Sequence, residues 1–472
     1  MNKSTYSIII ILFFLLKQSI VISVSAQPSK IQGKADDYAG KTLEFFVYED
    51  FISENTNQIF NLEVADDGTF SEQFEVKRTR PVFCLTGIYK LWFIAQPGVN
   101  YELMLPDFIE KTKAEEYNPY FKPLLLMAGV KSAEKHNIND LVNQFEYSID
   151  GLLNRHVESY MTKRKGSELE QHIDSLNEMF PQDKPAYFAT WKKFRFAMMR
   201  RLAFERNHRF VINKYFRTDS VHYQNPAYME LFNDVFKDYF DHFATRPGGK
   251  ELIHAVNRTR SPQRISEVFS RMFELDNMAL REYAIIKGLN DAYTRDKYKK
   301  KSIQTCLDSI ARFSNYPEHR ITASNVIEKF KYLAVGTPAP EPVLFSPEGD
   351  SISIRDFKDH YLYIAFFHTE LTPSRKQLSP LFDLAEKHAG KFKVLLIIMD
   401  EKPEKALGRL NQYNKEALTI AVPENREKIK KMWDIASYPS YYLLNPQSDL
   451  LFSPSPAPTE NFENYFFDFV MH

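Results

Sequence analysis

The sequence predicts a multidomain chain in three parts: a small all-β sandwich or barrel first, an all-α domain in the middle, and an α/β domain at the end. Three observations predict it. Residues 31 to 105 alternate apolar and polar between turn signals, and from about Tyr117 to Tyr332 the apolar period lengthens to three and four residues. Then Gly336-Thr337-Pro338-Ala339-Pro340-Glu341-Pro342, with its three prolines, forbids a continuing helix, and two nearly continuous apolar runs follow it, separated by a helical pattern. The boundaries read 27–110 for the strand domain, 117–332 for the helical domain and 335–472 for the α/β domain.

Alternation sets the strands of the first part. Leu43 to Tyr48 and Gln58 to Val64 are candidates, and Asp66-Asp67-Gly68 is a hairpin turn leading into Phe74-Glu75-Val76. Val82 to Leu85 and Leu91 to Ile94 follow, then Tyr101 to Leu105 after the turn Gln96-Pro97-Gly98. Short strands at this spacing make a sandwich or a barrel. In the middle part, Ile138 to Phe145 opens a helix at an Asn cap, and Tyr187 to Phe204 repeats Phe188, Trp191, Phe194, Met198 and Leu202 at helical steps as a core stripe. Ile265 to Leu275 and Leu280 to Tyr293 repeat the pattern. The basic residues Lys192, Lys193, Arg195, Arg200 and Arg201 read as a solvated helix face.

Composition narrows the classes of function. With 472 residues, 44% of them hydrophobic, the chain is long enough for several cores. Lys plus Arg (61) equals Asp plus Glu (61), which leaves no global attraction to nucleic acid, and none is expected as a partner. Met1-Asn2-Lys3, the apolar run from Ile8 to Leu16 and the small residues Val24-Ser25-Ala26 read as a secretory signal over 1–26, cleaved near Ala26, with export to the periplasm. An uncleaved amino-terminal membrane anchor is the alternative. No later stretch is apolar enough to span a bilayer, so no other membrane contact is expected. Only Cys84 and Cys306 are present, too few for a disulfide scaffold; they read as two buried thiols, with one long-range bridge as the alternative.

The last part opens with a hairpin, Val343 to Phe345 and Gly349 to Ile354. Tyr361 to Phe367 is apolar throughout, as a strand covered on both faces is, and Val394 to Met399, ending at Asp400, is a second. Between them a helix from Pro373 turns Leu378, Leu381, Phe382 and Ala385 inward. Helices over Pro403 to Tyr413 and Glu424 to Trp433, a hairpin of Tyr441 to Asn445 with Leu450 to Phe452, and an aromatic helix over Phe462 to Val470 complete it. The run Phe366-Phe367-His368-Thr369-Glu370-Leu371-Thr372-Pro373-Ser374-Arg375-Lys376 resembles the thioredoxin family's strand end, its Trp-Cys-Gly-Pro-Cys turn and the basic residues after it. Tyr438-Pro439-Ser440 and the strand that follows resemble the family's cis-proline segment. The Gly336-Thr337-Pro338-Ala339-Pro340 lead-in is typical of redoxin (AhpC/TSA-type) domains, and the first part, with its Asp66-Asp67-Gly68 and Gln96-Pro97-Gly98 turns, is similar to the domain that precedes them in exported proteins of the Bacteroidetes type. The resemblance implies a thioredoxin-like fold for 335–472.

Its departures bear on chemistry. Leu371 and Ser374 stand where the family has its two redox cysteines, so Leu371, Thr372, Pro373 and Ser374 form a degenerate motif that cannot make a mixed disulfide. A serine hydroxyl ionises far above a thiol and is no substitute. Thr372 reads as the helix cap, Pro373 as the first helical position, and Ser374 as the partner of a first-turn group. The family's helix proline is displaced to Pro380. His368 lies six residues before Ser374 without an evident third group, and His368 with Glu370 offers two ligands, too few for a structural metal site. No catalytic residue, metal or cofactor is expected. What the resemblance leaves is a surface for strand addition: Tyr438, Pro439 and Ser440, facing Thr372 and Pro373, form a candidate groove for an extended peptide or a periplasmic protein. The favoured function is therefore a catalytically degenerate binding or scaffolding protein. The alternatives are a thiol-disulfide oxidoreductase or peroxidase acting through Cys84 or Cys306, and ligand binding by the helical domain.

Overall fold

The computed structural model describes residues 28–471 except 133–136, 163–165, 182–184 and 274. The expected signal segment, 1–26, lies outside the described residues, and among these no helix is long and apolar enough to cross a membrane. The architecture is β-rich at the amino-terminal end, helical in the middle and a mixed sheet with helices at the carboxy-terminal end. The chain divides into two compact units. One holds residues 28–109, 124–239 and 269–288; the other holds 110–123, 240–268 and 289–471.

In the first unit, β1 (Ser29–Lys34), β4 (Thr69–Phe74), β7 (Asn100–Met104) and β9 (Gly129–Ser132) form a sheet in the order β4-β1-β7-β9. A second sheet, in the order β3-β2-β5-β6-β8, is built from β2 (Thr42–Tyr48), β3 (Thr56–Glu63), β5 (Arg80–Thr86), β6 (Tyr89–Ala95) and β8 (Leu124–Met127). Alternate residues of both enter one core, Ile31, Tyr101 and Leu103 from the first meeting Phe45, Leu91 and Phe93 from the second, so the arrangement is a sandwich. Gly33 is required by this packing, since a Cβ there would lie 2.4 Å from the Leu103 carbonyl and 2.5 Å from the Phe70 ring.

Three of these strands lie outside the sequence expectation: β1, β8 and β9. The last two fall where the helical period was expected to begin. Leu124-Leu125-Leu126-Met127 is too short and too uniformly apolar to show any period, and it becomes a strand because β6 offers it a parallel edge.

The helix Ile138–Thr162 is tied to the sandwich by two asparagines. Asn137 donates to the Val130 carbonyl at 2.6 Å and accepts from the Asn139 amide at 3.0 Å. Asn139, 2% exposed, accepts from the Ile94 amide at 2.6 Å and donates to the Ile94 carbonyl at 3.0 Å. Along the helix Ala186–Ala203 the stripe Phe188, Trp191, Phe194 and Met198 is buried as expected, whereas Leu202 is exposed. Of the basic residues of this helix only Lys193 is exposed, and it pairs with Asp219 at 2.7 Å; the other four are not a solvated face. Lys192 is buried on the Phe180 carbonyl, Arg200 is bidentate to Glu170, Arg195 lies between Glu146 and Glu230, and Arg201 bonds Asp234. The acidic partners sit on neighbouring helices, which a view along one helix does not reveal.

The second unit contains a seven-stranded sheet in the order β11-β10-β14-β13-β12-β15-β16. Its strands are β10 (Leu344–Phe345), β11 (Ser351–Ile352), β12 (Tyr361–Phe367), β13 (Phe392–Ile398), β14 (Thr419–Pro423), β15 (Ser440–Leu444) and β16 (Leu450–Phe452). β12, β13 and β14 are parallel, and β15 runs antiparallel to β12. Tyr363, Ala365 and Phe367 face the helices Thr372–Lys387 and Phe462–Met471, while Leu362, Ile364 and Phe366 face Ile429 and Trp433, which explains the unbroken apolar run. Only β14 lies outside the expected order; its β-branched run Thr419-Ile420-Ala421-Val422 is a strand signal that the sequence reading passed over.

Replacing Asn139 by alanine leaves both polar groups of buried Ile94 without partners, and we expect a loss of about 2 kcal/mol or more of stability, read by chemical denaturation. Asn139→Asp keeps the acceptor but sets a buried carboxylate oxygen against the Ile94 carbonyl, and is expected to lose at least as much.

Candidate functional site

The carboxyl ends of adjacent parallel strands converge, and here β12 and β13 bring His368 and Thr369 to Asp400. All three are buried; His368 is 2% exposed. The Thr369 amide donates to Asp400 Oδ2 at 2.8 Å and its hydroxyl donates to Oδ1 at 2.7 Å. Arg409 Nη1 donates to Thr369 Oγ1 at 2.8 Å and stands 3.8 Å from Asp400 Oδ1, so the buried carboxylate is both bonded and balanced. His368 Nδ1 faces the same Oδ1 at 3.8 Å, beyond hydrogen-bond reach, and has no hydrogen-bond partner among the described residues.

The other face of the imidazole is covered by Tyr117. Its hydroxyl lies 2.9 Å from His368 Nε2, and the two rings meet edge-on with centroids 4.7 Å apart. Asp400 beside Nδ1 favours the tautomer protonated there, which leaves Nε2 to accept from the phenol. Burial, with Glu116, Glu401 and Glu370 adding to it, pushes the Tyr117 phenol up to about 12. Tyr438 packs on the third side, its ring 5.8 Å from the imidazole and its phenol likewise raised by burial.

The motif residues sit around this histidine. The helix Thr372–Lys387 is capped at Leu371, whose side chain makes no cap bond; Thr372 and Pro373 occupy its first two positions. Thr372 is therefore not the cap, because its backbone is already helical, and its hydroxyl accepts from Arg375 Nη2 at 2.9 Å. Ser374 does not serve the first turn either. It is fully buried and its oxygen accepts from the His368 amide at 3.4 Å. Pro380 lies inside the helix. Across His368, the Tyr438–Pro439 peptide bond is cis, and Ser440 opens β15 opposite Phe366. Leu371 to Ser374 and Tyr438 to Ser440 thus lie on either side of His368, with Tyr117 over it.

Sequence reasoning singled out His368 and the two motif segments and missed Tyr117, Thr369 and Arg409. The Thr369–Asp400 pair was open to discovery from the convergence of parallel strand ends. Nothing in the sequence joins Tyr117 to a histidine 251 residues later. No group of three or more histidine, cysteine or acidic residues suited to a metal occurs among the described residues.

Neither cysteine belongs to this site. Cys84 and Cys306 are free and fully buried, and burial pushes both thiols up to about 12. A nucleophilic thiol needs the opposite, exposure and a lowered pKa. The oxidoreductase alternative through either residue therefore lacks its physical basis.

The parallel pair β12 and β13 with the crossing helix between them, then the antiparallel hairpin of β15 and β16 and the closing helix, define a thioredoxin-like fold. No family model and no curated protein matches the chain. Among solved structures it is similar to a thioredoxin-like protein from Bacteroides caccae, at 17% identity over 61% of this chain and 96% of that one, with a TM-score of 0.32. It is also similar to a thiol:disulfide interchange protein from Bacteroides sp. (18% identity, 30% of this chain, 93% of that one, TM-score 0.27) and to the thioredoxin domain of a thiol-disulfide oxidoreductase from Bacteroides vulgatus (18%, 29%, 98%, 0.26). At these scores the fold assignment rests on the strand order alone.

Two outcomes are expected. In the folded protein at pH 8 neither thiol reacts with a disulfide reagent within minutes, and both react on denaturation. The Tyr117 phenol loses its proton less readily folded than unfolded, so the unfolded state binds fewer protons above the ordinary tyrosine range and stability falls there as pH rises. Tyr117→Phe removes this contribution, and denaturation between about pH 10 and 12 is expected to show a shallower decline in the variant.

Proposed function

We propose that the chain is an exported, thiol-independent binding and scaffolding protein whose thioredoxin-like groove holds a segment of its own chain. The observation that supports the reading is Tyr117 seated on His368, whose imidazole also meets the Tyr438 ring that precedes the cis-proline.

The segment 110–123 is built for such a role. Thr112 and Glu115 close a capping box around the short helix Lys113–Glu116, so the turn that presents Tyr117 is locally fixed. Lys111 lies 5.0 Å over the Phe121 ring, the Phe121 amide donates to the Asn118 carbonyl at 3.0 Å, and Lys113 reaches 4.0 Å from Glu370. An ordered segment binds at lower entropic cost than a loose one.

Chemistry is not required of this groove, and its residues offer little. Leu371 has no ionisable group for the helix amino terminus to stabilise, Ser374 is turned to the backbone, and both thiols lie buried elsewhere. Two of the named relatives are thiol-disulfide oxidoreductases or interchange proteins; in this chain the fold is kept for binding. Export to the periplasm, with cleavage near Ala26, belongs to the same reading and is supported by the small residues Val24-Ser25-Ala26 after an apolar run.

Hydrogen exchange on Tyr117→Ala tests it. Amide exchange across 110–123 is expected to rise at least tenfold while the β12 and β13 amides keep their protection, and neither protein is expected to turn over insulin disulfides with dithiothreitol. Equal protection of 110–123 in the variant, or catalytic reduction by the parent, overturns the reading.

A further inference from the structure

The outer face of the five-stranded sheet carries large side chains in cross-strand register. Phe46 lies opposite Phe83, Phe83 opposite Trp92 and Trp92 opposite Met127, so one row crosses from β2 to β8. In the next row Lys90 lies opposite Leu125. The helix Ala186–Ala203 covers only part of this face: Trp191 stacks on Trp92 with ring centroids 5.9 Å apart and planes 10° from parallel. Beside that stack remains a cleft of about 630 Å³, walled by the row on one side and by Glu146 and Tyr147 on the other. Apolar clefts of this size with a few polar groups are the usual form of a ligand site.

The cleft adjoins β8, which is an edge strand among the described residues. β8 ends its sheet, and the Leu124 and Ala128 amides donate to the Ile88 and Trp92 carbonyls of the β6 side. Backbone groups alternate along a strand, so the N–H and C=O of Leu125 and Met127 point the other way, toward the free edge. The side chains there are exposed, Leu124 by 58% and Leu125 by 68%. An apolar strand of this kind, without a charge or proline to blunt it, is a template for pairing with another chain.

Charge indicates what sort of chain. Three carboxylates, Glu146, Asp150 and Glu230, line the cleft against two cations, Lys90 and Arg195. Arg195 is held by Glu146 at 2.9 Å and Glu230 at 3.0 Å, and Lys90 lies over the Phe83 ring at 4.3 Å. Asp150 has no hydrogen-bond or ion-pair partner among the described residues. Asp150 is exposed at the cleft, so it is the carboxylate there that a cation on an incoming chain can reach.

We propose that this cleft and the β8 edge bind an extended peptide that adds as a sixth strand beside β8, sets an apolar or aromatic side chain next to Met127 in line with Phe83 and Trp92, and places a lysine or arginine against Asp150. Main-chain pairing supplies affinity and the alternating side chains supply selectivity. The site lies wholly in the first unit, so its failure leaves the reading of the carboxy-terminal groove untouched.

Fluorescence anisotropy of the full chain with fluorescein-labelled acetyl-Lys-Val-Phe-Val-Lys-amide, whose phenylalanine and lysines share one face of a strand, and with its Glu-Val-Phe-Val-Glu counterpart, tests the proposal. Saturable binding at least tenfold tighter for the lysine peptide is expected. Asp150→Lys, an exposed change, reverses that preference. Leu125→Pro removes an N–H that β6 does not use and weakens the lysine peptide at least tenfold, with the melting temperature of the chain serving as the check on folding. Equal affinity for the two peptides, no saturation at millimolar peptide, or an affinity indifferent to both substitutions overturns it. So does dimerisation abolished by Leu125→Pro without any peptide binding, which assigns the edge to a second copy of this chain.

Discussion

Between β13 and β15, with a layer of side chains on each face, β12 is buried from Leu362 to Phe367. Every residue of the strand must be apolar, and the first polar side chains after it, His368 and Thr369, emerge still within the buried layer. Desolvated polar groups at that depth require partners. Thr369 takes both oxygens of Asp400 and Arg409 balances the charge, which leaves the imidazole to be satisfied from outside the sheet. Tyr117 supplies that contact to Nε2, while Nδ1 stands 3.8 Å from Asp400 with no hydrogen-bond partner among the described residues. The arrangement of the candidate site thus follows from the sheet that carries it.

A dithiol site in this place would draw on the same features, since a helix amino terminus stabilises an anion there by about 0.3 to 1 kcal/mol at an exposed position. With Leu371 at the cap the dipole has no thiolate to stabilise, and the polar groups nearby are engaged with one another: Arg375 with Thr372, Ser374 with the His368 amide. The features that position a redox motif persist here as packing and hydrogen bonding.

What was legible in the sequence divides along a physical line. β12 and β13 and the helix between them read correctly because burial on two faces and a helical period are local signals. β8 and β9 did not, because a strand of four residues owes its state to the neighbour it pairs with. The basic residues of Ala186–Ala203 were misplaced for the same reason: Glu146, Glu170 and Asp234 belong to other helices. In the candidate site His368 was visible from its place at a strand end, while Tyr117 depends on a tertiary contact that no spacing encodes.

That contact also orders events in time. Tyr117 and His368 are 251 residues apart, so during synthesis the amino-terminal sandwich strands β1 to β7 are complete long before the surface that receives Tyr117 exists. Domains generally fold in the order in which they leave the ribosome, and joining such distant residues carries a loop-closure cost that grows with the logarithm of their separation. Residues 110–123 can form their own capping box early, but the His368 that receives Tyr117 is made only after the helical region. Their docking becomes a late step in assembly, one that registers the completion of the carboxy-terminal domain.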